Sequence, residues 1–230
     1  MTADMDAATG MRRPRVARWA ALPFILVAVL HVVALAVPWP AVAAPTKLLL
    51  MPLLAFAVLA GAAGVRASAP LALLLLAIGF SWLGDGAGTF VPFLPTLPMM
   101  LAFFGIAHLC YILLFARHVR RRRFGWWAVL LLAWWVGMVL VLAPHTGALL
   151  VAVAIYGLLL GATTAFALRC SPTVAVGAVL FLASDTLLAF RLFLPDAMPD
   201  WTSPLVMATY AAGQGLIAAG VLASLRRREA

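Results

Sequence analysis

Charged residues are scarce in this chain: they make up 10% of its 230 residues, whereas apolar residues make up 66%. A soluble domain needs more polar surface than this composition provides, so an ordinary soluble enzyme or binding domain is excluded. Cysteine is scarce too, and the spacing of Cys110 and Cys170 suits neither a disulfide framework nor a metal site. We therefore expect an integral membrane protein without a metal or another cofactor.

The 16 lysine and arginine residues outnumber the 7 acidic residues and give a formal net charge of +9. This excess does not indicate a nucleic-acid partner, because the arginines are grouped beside apolar runs. There they orient membrane helices and attract anionic lipid headgroups. The groups are Arg12, Arg13, Arg15 and Arg18, then Arg117 and Arg120 to Arg123, then Arg226 to Arg228. We expect membrane lipids as partners, no nucleic acid and no obligate protein partner.

The apolar residues form continuous runs of about 20 residues, the length that a helix needs to cross a bilayer. Transmembrane strands would instead show alternating segments of about ten residues. We predict an all-α membrane protein, a bundle of eight transmembrane helices. The predicted spans cover residues 19–37, 46–64, 69–90, 97–116, 126–142, 147–168, 173–194 and 203–225. They form one domain over residues 19–225, between cytoplasmic basic tails at residues 1–18 and 226–230.

The distribution of charge predicts the orientation of the bundle. If the spans alternate from a cytoplasmic N-terminus, the arginine groups lie inside with Arg66 and Arg169, and the outer loops carry only Asp196 and Asp200. Both termini are therefore expected in the cytoplasm. Alternatively, the first run is a cleaved signal peptide, because arginines precede it and the small residues AVAAP follow it. Its length of 19 residues exceeds a usual signal-peptide core, which favours a retained helix.

Two aspartates, Asp85 and Asp185, lie inside the predicted spans, where an ionisable group is costly and faces a cavity or a partner. Two carboxyl groups in one pocket can supply a general acid and a general base. Further polar residues of the outer half or the middle of the membrane are Lys47, His108, Tyr111, Tyr156, Tyr210 and Gln214. We expect one outward-opening cavity shared by all of them. The alternative is an ion pair that only locks helices together, with Lys47 or Arg191 as the cation.

Several short motifs occur in order along the chain. They are TKLLLMPLL at residues 46–54, LGD at 83–85, FFGIAHLCYILLF at 103–115, LFLASDTLLA at 180–189 and TYAAGQGLI at 209–217. With these motifs the chain resembles the YhhN-like lysoplasmalogenase family from the second span to the eighth. It departs from the family at GDGAG after the first aspartate, where apolar residues are usual, and at Leu48, where proline is common.

The resemblance implies an enzyme of a bacterial plasma membrane that hydrolyses the vinyl ether bond of a lysoplasmalogen to a fatty aldehyde and a glycerophospho-base. A vinyl ether is hydrolysed by protonation at carbon, which gives an oxocarbenium ion that water attacks. One of Asp85 and Asp185 would deliver the proton, and the other would steer water and stabilise the cation. Lys47 would hold the headgroup phosphate. The other substrate-binding residues implied are His108, Tyr111, Tyr156, Tyr210 and Gln214, without a metal or a nucleophilic serine.

Three other classes of protein use similar residues. A proton-coupled transporter of a small or lipid-like solute uses intramembrane Asp, Lys and His as relays. An intramembrane aspartyl protease also uses two aspartates, but its GxGD and YD patterns are missing, because Trp82 precedes LGD and Ser184 precedes Asp185. A non-catalytic membrane protein would use the aspartates to lock helices. We expect the hydrolase, with the transporter as the alternative.

Overall fold

The computed structural model describes residues 19–66, 68–119 and 122–229, and this part of the chain is helical and has no strand. The predicted tail at residues 1–18 lies outside the described residues. The long helices are α1 (Leu22–Ala36), α2 (Pro40–Gly61), α3 (Ala69–Asp85), α4 (Thr96–Leu114), α5 (Trp127–Thr146), α6 (Leu150–Ala167), α7 (Pro172–Phe193) and α8 (Thr202–Glu229). Short elements are a helical turn at Ala87–Phe90, a π-helical turn at Phe115–Val119, and 3₁₀ turns at Gly147–Leu149 and Pro195–Ala197. The prediction of an all-α fold is confirmed.

Five helical segments of the described residues are long and apolar enough to cross a membrane: Pro40–Gly61, Thr96–Val119, Trp127–Ala167, Pro172–Phe193 and Thr202–Arg228. One of them, Trp127–Ala167, contains both α5 and α6, which pack against each other. The chain turns between them at Gly147, whose positive φ of 52° is a conformation that glycine adopts readily. The other long helices, α1 and α3, are apolar but shorter, with 15 and 17 residues. The chain is therefore a multi-pass integral membrane protein.

Pro45 lies inside a helix that the sequence predicted to begin after it, and Pro144 inside one predicted to end before it. α2 begins at Pro40 instead of residue 46 and contains Pro45 and Pro52. α5 continues through Pro144, beyond its predicted end at residue 142. Membrane helices tolerate proline because neighbouring helices and side chains satisfy the freed backbone groups. The predicted helix ends at these prolines were wrong, and Lys47 lies about 10 Å inside α2 rather than at its start.

Two other helix ends differ from the prediction. α3 ends at Asp85, so the predicted third span of residues 69–90 is divided at Gly86 into α3 and the turn Ala87–Phe90. α8 continues to Glu229, so the predicted tail from residue 226 begins on the last turns of a helix. Arginines fit there, because cations interact favourably with the partial negative charge of a helix C-terminus.

α7 and α8 pack antiparallel with their backbones in contact. A methyl group added at Gly177 would lie 2.8 Å from the carbonyl oxygen of Gly213, and one added at Gly213 would lie 2.8 Å from that of Gly177. Small residues permit this close approach between membrane helices. The packing fixes α7, which carries Asp185, against α8, which carries Tyr210 and Gln214.

The remaining helices surround this pair unevenly. α8 also contacts α1, α2 and α3, whereas α4 packs against α3 and α6, and α5 packs against α6 and α7. The apolar core lies mainly between α2, α3, α4, α7 and α8. Its nearly inaccessible side chains include Leu50, Leu74, Phe115, Phe181 and Ile217. Polar side chains interrupt this core in two places, one beside α8 and one beside α6.

Apart from Arg191, the described arginines gather at one end of the bundle, which we call the basic end. It contains Arg66, Arg117, Arg122, Arg123, Arg169 and Arg226 to Arg228. There the Arg169 guanidinium lies 4.1 Å from the centre of the Phe124 ring, and its Nε donates to the Arg122 carbonyl over 3.1 Å. The opposite end contains the turns at residues 37–39, 86–95, 147–149 and 194–201, with Asp196 and Asp200. This asymmetry is the feature on which the predicted orientation depends, and the orientation itself stays a prediction.

Candidate active site

Asp85, the last residue of α3, is held between a cation and a hydroxyl group. Its Oδ1 lies 3.6 Å from Lys47 Nζ on α2, and its Oδ2 accepts a hydrogen bond from the Tyr210 hydroxyl on α8 over 2.8 Å. The side chain of Asp85 is 6% exposed and that of Lys47 is 38% exposed. The ion pair between helices that the sequence left open as an alternative is therefore present at Asp85.

A second polar contact joins the same helices one turn closer to the basic end. Gln214, four residues after Tyr210, donates through Nε2 to Ser81 Oγ on α3 over 3.1 Å. The Oε1 of Gln214 accepts a hydrogen bond from the Tyr111 hydroxyl on α4 over 2.5 Å. Ser81, Tyr111 and Gln214 are completely buried. In this arrangement they connect α3, α4 and α8, and the predicted contact of Tyr111 and Gln214 with a substrate stays a prediction.

Asp185 on α7 has a tyrosine and a histidine as neighbours instead. The Tyr156 hydroxyl on α6 donates a short hydrogen bond to Asp185 Oδ2. His108 on α4 faces both groups, because its Nε2 lies 3.3 Å from the Tyr156 oxygen and 3.8 Å from Asp185 Oδ2. Arg191, the second candidate cation, donates to the Pro199 carbonyl over 3.1 Å and is not paired with Asp185. We call Asp185, Tyr156 and His108 the Asp185 triangle.

Two clefts reach the Asp185 triangle, one on each side of α6. The first cleft, between α4, α6 and α7, has an empty volume of about 440 Å³ including its open mouth, and the second, between α5, α6 and α7, has about 370 Å³. Both are lined by Asp185 and Tyr156, and their other walls are mostly apolar. Asp85 lines neither of these two clefts. These two clefts therefore do not form the single cavity that both carboxylates were expected to share.

Two phenylalanines stand between the carboxyl groups. The ring centre of Phe181 lies 5.1 Å from that of His108 and 5.5 Å from that of Tyr210. The ring centre of Phe104 lies 6.1 Å from that of Tyr210, and Phe104 also lines the first cleft. Phe104 and Phe181 therefore form an aromatic wall that separates the Asp85 ion pair from the Asp185 triangle.

Sequence analysis missed three residues of this site, which are Phe104, Thr163 and Phe181. Phe104 and Phe181 each precede a predicted site residue, His108 and Asp185 respectively, by four positions. Thr163, whose Oγ1 lies 3.1 Å from His108 Nδ1, follows Tyr156 by seven positions. Spacings of four and seven place residues on one face of a helix, so this signal was available in the sequence.

The other intramembrane histidine, His31, contacts neither cluster directly. It is buried on α1, and its Nδ1 lies 2.9 Å from the Thr46 hydroxyl on α2. The thiols of Cys110 and Cys170 are free and buried.

Comparison with known families adds one finding. Residues 42–221 match the sequence model of the YhhN family. This range includes every residue of the Asp85 ion pair and of the Asp185 triangle, together with Thr163 and both phenylalanines. No curated protein and no solved structure matches the chain.

Proposed function

We propose that this chain, which belongs to the YhhN family, is a membrane hydrolase. It cleaves the vinyl ether bond of a lysoplasmalogen. The products are a fatty aldehyde and a glycerophospho-base. The observation that supports this best is the asymmetry of the two buried carboxyl groups. Asp85 is paired with a lysine, whereas Asp185 contacts a tyrosine and a histidine and lines two mostly apolar clefts.

The proposal includes the placement of the protein in the membrane. All eight long helices cross the bilayer, with both termini in the cytoplasm and the basic end on the cytoplasmic side. The site then lies in the outer half of a bacterial plasma membrane. α1 and α3 are the shortest helices, and local thinning of the bilayer or flanking residues can accommodate them. The concentration of arginine at one end supports this orientation.

Asp185 is the general acid in this mechanism. Among the described residues no lysine or arginine is paired with Asp185, and the mechanism takes its carboxyl group as the proton donor. It lies on the floor of the first cleft, where a vinyl ether can reach it. Asp185 delivers its proton to the carbon of the double bond that is not attached to oxygen. The other carbon and the ether oxygen then share the positive charge of an oxocarbenium ion.

Asp85 stabilises this cation as a carboxylate. Lys47 at 3.6 Å supplies the countercharge that allows Asp85 to be ionised when buried. A negative charge acts over a longer distance in a low-dielectric site than in water, so it stabilises the cation across the aromatic wall. Water attacks the cationic carbon and returns a proton to Asp185. The resulting hemiacetal then releases the aldehyde and the alcohol, with its hydroxyl proton transferred to the leaving oxygen.

The two ends of the substrate find matching surroundings. The hydrocarbon chain lies in the first cleft, against apolar side chains that include Leu101 and Leu188. The headgroup phosphate binds Lys47, whose partly exposed ammonium group can contact it while remaining paired with Asp85.

The decisive experiment uses the purified protein in lipid vesicles with an alkenyl lysophospholipid and, as the matched control, the acyl lysophospholipid with the same headgroup and chain length. We expect release of the fatty aldehyde, measured by mass spectrometry, from the alkenyl lipid only. Asp185→Asn should lower kcat by about 10³-fold through loss of the acid. Full activity of folded Asp185→Asn would contradict the mechanism.

The same vesicles test the alternative. Intramembrane Asp, Lys and His also occur in proton-coupled transporters, and the Lys47–Asp85 ion pair and the Asp185 triangle would suit such a relay. A transporter would move a solute across the sealed vesicle without changing the lipid chemically. Flux without aldehyde release would therefore favour transport over hydrolysis.

A further inference from the structure

The hydroxyl group of Thr163 determines which nitrogen of His108 carries the proton. Thr163 Oγ1 lies 2.9 Å from the Leu159 carbonyl oxygen and 3.4 Å from that of His108, so its single proton is donated to a backbone carbonyl. The Thr163 oxygen is then an acceptor, 3.1 Å from His108 Nδ1. A neutral imidazole has one N–H donor and one acceptor nitrogen. A neutral His108 that donates from Nδ1 to this oxygen presents the lone pair of Nε2 to the Asp185 triangle.

The Asp185 triangle is complete only when it holds one additional proton. With Asp185 ionised, the triangle contains two kinds of acceptor, the carboxylate and His108 Nε2, but a single donor, the Tyr156 hydroxyl. One buried acceptor would then have no partner, which is unfavourable. A proton on Asp185 adds the missing donor: the carboxyl group can then donate to the Tyr156 oxygen, which frees the Tyr156 hydroxyl to donate to His108 Nε2 at 3.3 Å.

Thr163 is the hydrogen-bond partner of His108 Nδ1, and the other groups around the imidazole also lie on α6 and α7. α6 contributes Tyr156 and Thr163, and α7 contributes Asp185 and Phe181, whose ring is tilted against the imidazole. Among the described residues, no lysine or arginine forms an ion pair or hydrogen bond with these groups. The tautomer of His108 therefore depends on the hydrogen bond at its Nδ1.

We propose that Thr163 is a positioning residue that keeps the Nε2 lone pair of His108 in the triangle and thereby keeps Asp185 protonated. The catalytic consequence rests on the proposed function, because the proton of Asp185 is the one delivered to the vinyl ether carbon. Without the Thr163 hydroxyl, His108 can adopt the Nε2–H tautomer and donate to the Tyr156 oxygen at 3.3 Å, while the Tyr156 hydroxyl donates to Asp185 and stabilises the carboxylate. Asp185 regains its proton from the attacking water, so each turnover balances without another reactant.

The first test is spectroscopic and independent of activity. Full-length protein with ¹⁵N-labelled histidine is compared with Thr163→Val, which has nearly the same shape without the hydroxyl, and with Thr163→Ser, which keeps it. The His108 signals are assigned from their loss in His108→Gln. The wild type and Thr163→Ser should show the Nδ1–H tautomer, and Thr163→Val should show a shift toward Nε2–H. An Nε2–H tautomer in the wild type, or an unchanged Thr163→Val spectrum, would overturn the proposal.

A neighbouring threonine provides the matched control. Thr164 is equally buried, and its hydroxyl donates to the Leu160 carbonyl over 3.1 Å, away from His108. We expect Thr163→Val to lower kcat by about 100-fold with little change in KM, Thr163→Ser to retain most of the activity, and Thr164→Val to match the wild type.

The two readouts separate the possible failures. If the wild type releases no aldehyde, the proposed function is wrong, and the spectra still decide whether Thr163 controls the tautomer. If the tautomer shifts in Thr163→Val while kcat does not change, the link between the tautomer and the acid step is refuted.

Discussion

Removal of Lys47 tests whether the charge of Asp85 belongs to a stabilising ion pair. In Lys47→Met, Asp85 loses the ammonium group that lies 3.6 Å away, whereas most of the aliphatic side chain is retained. At this separation the Coulomb attraction is about 4–5 kcal/mol with the effective dielectric constant of about 20 that describes sites near a protein surface. Because Lys47 is 38% exposed, solvent screens part of this attraction, and we expect a coupling free energy of about 2 kcal/mol.

The measurement is a double-mutant cycle with Lys47→Met, Asp85→Asn and the combined variant, in which the free energy of unfolding is measured in one detergent. Lys47→Met should be the more damaging single change, because it leaves a buried carboxylate without its cation. The combined variant should be about 2 kcal/mol more stable than the sum of the single changes predicts. A coupling free energy below about 0.5 kcal/mol would show that the pair is no stronger than an exposed one.

The kcat of the wild type and of the three variants shows whether Asp85 contributes to catalysis as well as to stability. If the negative charge of Asp85 stabilises the oxocarbenium ion, the combined variant should fold nearly as well as the wild type and still turn over slowly. We expect a loss in kcat of about 100-fold or more, because a preorganised charge is removed from a low-dielectric site. Recovery of both folding and turnover in the combined variant would refute the electrostatic role and leave the ion pair as a helix lock.

Two further predictions concern packing and the clefts. Gly213→Ala should destabilise the protein by about 2 kcal/mol or more in a thermal unfolding assay, because the new methyl group would lie 2.8 Å from the Gly177 carbonyl oxygen. Gly79→Ala is the control: its methyl group would have no atom within 4 Å, so the unfolding temperature should not change. Equal unfolding of both variants would contradict the close approach of α7 and α8. Leu188→Trp, which fills only the first cleft, should raise KM for the alkenyl lipid at least tenfold, whereas Met138→Trp, in the second cleft, should not. The reverse result would place the hydrocarbon chain between α5, α6 and α7.

Helical periodicity predicted those parts of the site that lie on a single helix. Ser81 and Asp85 are one turn apart on α3, as Tyr210 and Gln214 are on α8, and each spacing places two polar groups on one face. In the structure these two faces meet, and the residues pair in register, Asp85 with Tyr210 and Ser81 with Gln214. The apolar runs likewise predicted the presence of each long helix, because only a continuous apolar helix can satisfy its backbone within lipid.

Which helices become neighbours was not predictable in the same way. Every surface of a lipid-facing helix is apolar, so hydropathy contains little information about which face meets protein. Asp85 and Asp185 were expected in one cavity because both are acidic and at similar depth, but α8 and the aromatic wall lie between their clusters. The pairing of Asp85 with Lys47 also depended on α2 beginning at Pro40, which placed the lysine inside the helix. Proline rules from soluble proteins assigned that helix a later start.

A contribution to folding stability explains the cluster of Ser81, Tyr111 and Gln214 better than it explains Asp185. Tyr111, Ser81 and Gln214 satisfy one another completely, and such a network can specify how α3, α4 and α8 pack. Asp185 gains less from its surroundings, because among the described residues no lysine or arginine is paired with it and it lies beside two clefts. An apolar residue of similar size would remove an ionisable group from the membrane interior and strengthen the contact between α6 and α7. Asp185 is costly to bury and lines clefts that a hydrocarbon ligand can enter, so a chemical role explains it better than a role in folding. For this reason we assign the acid to Asp185 rather than to Asp85.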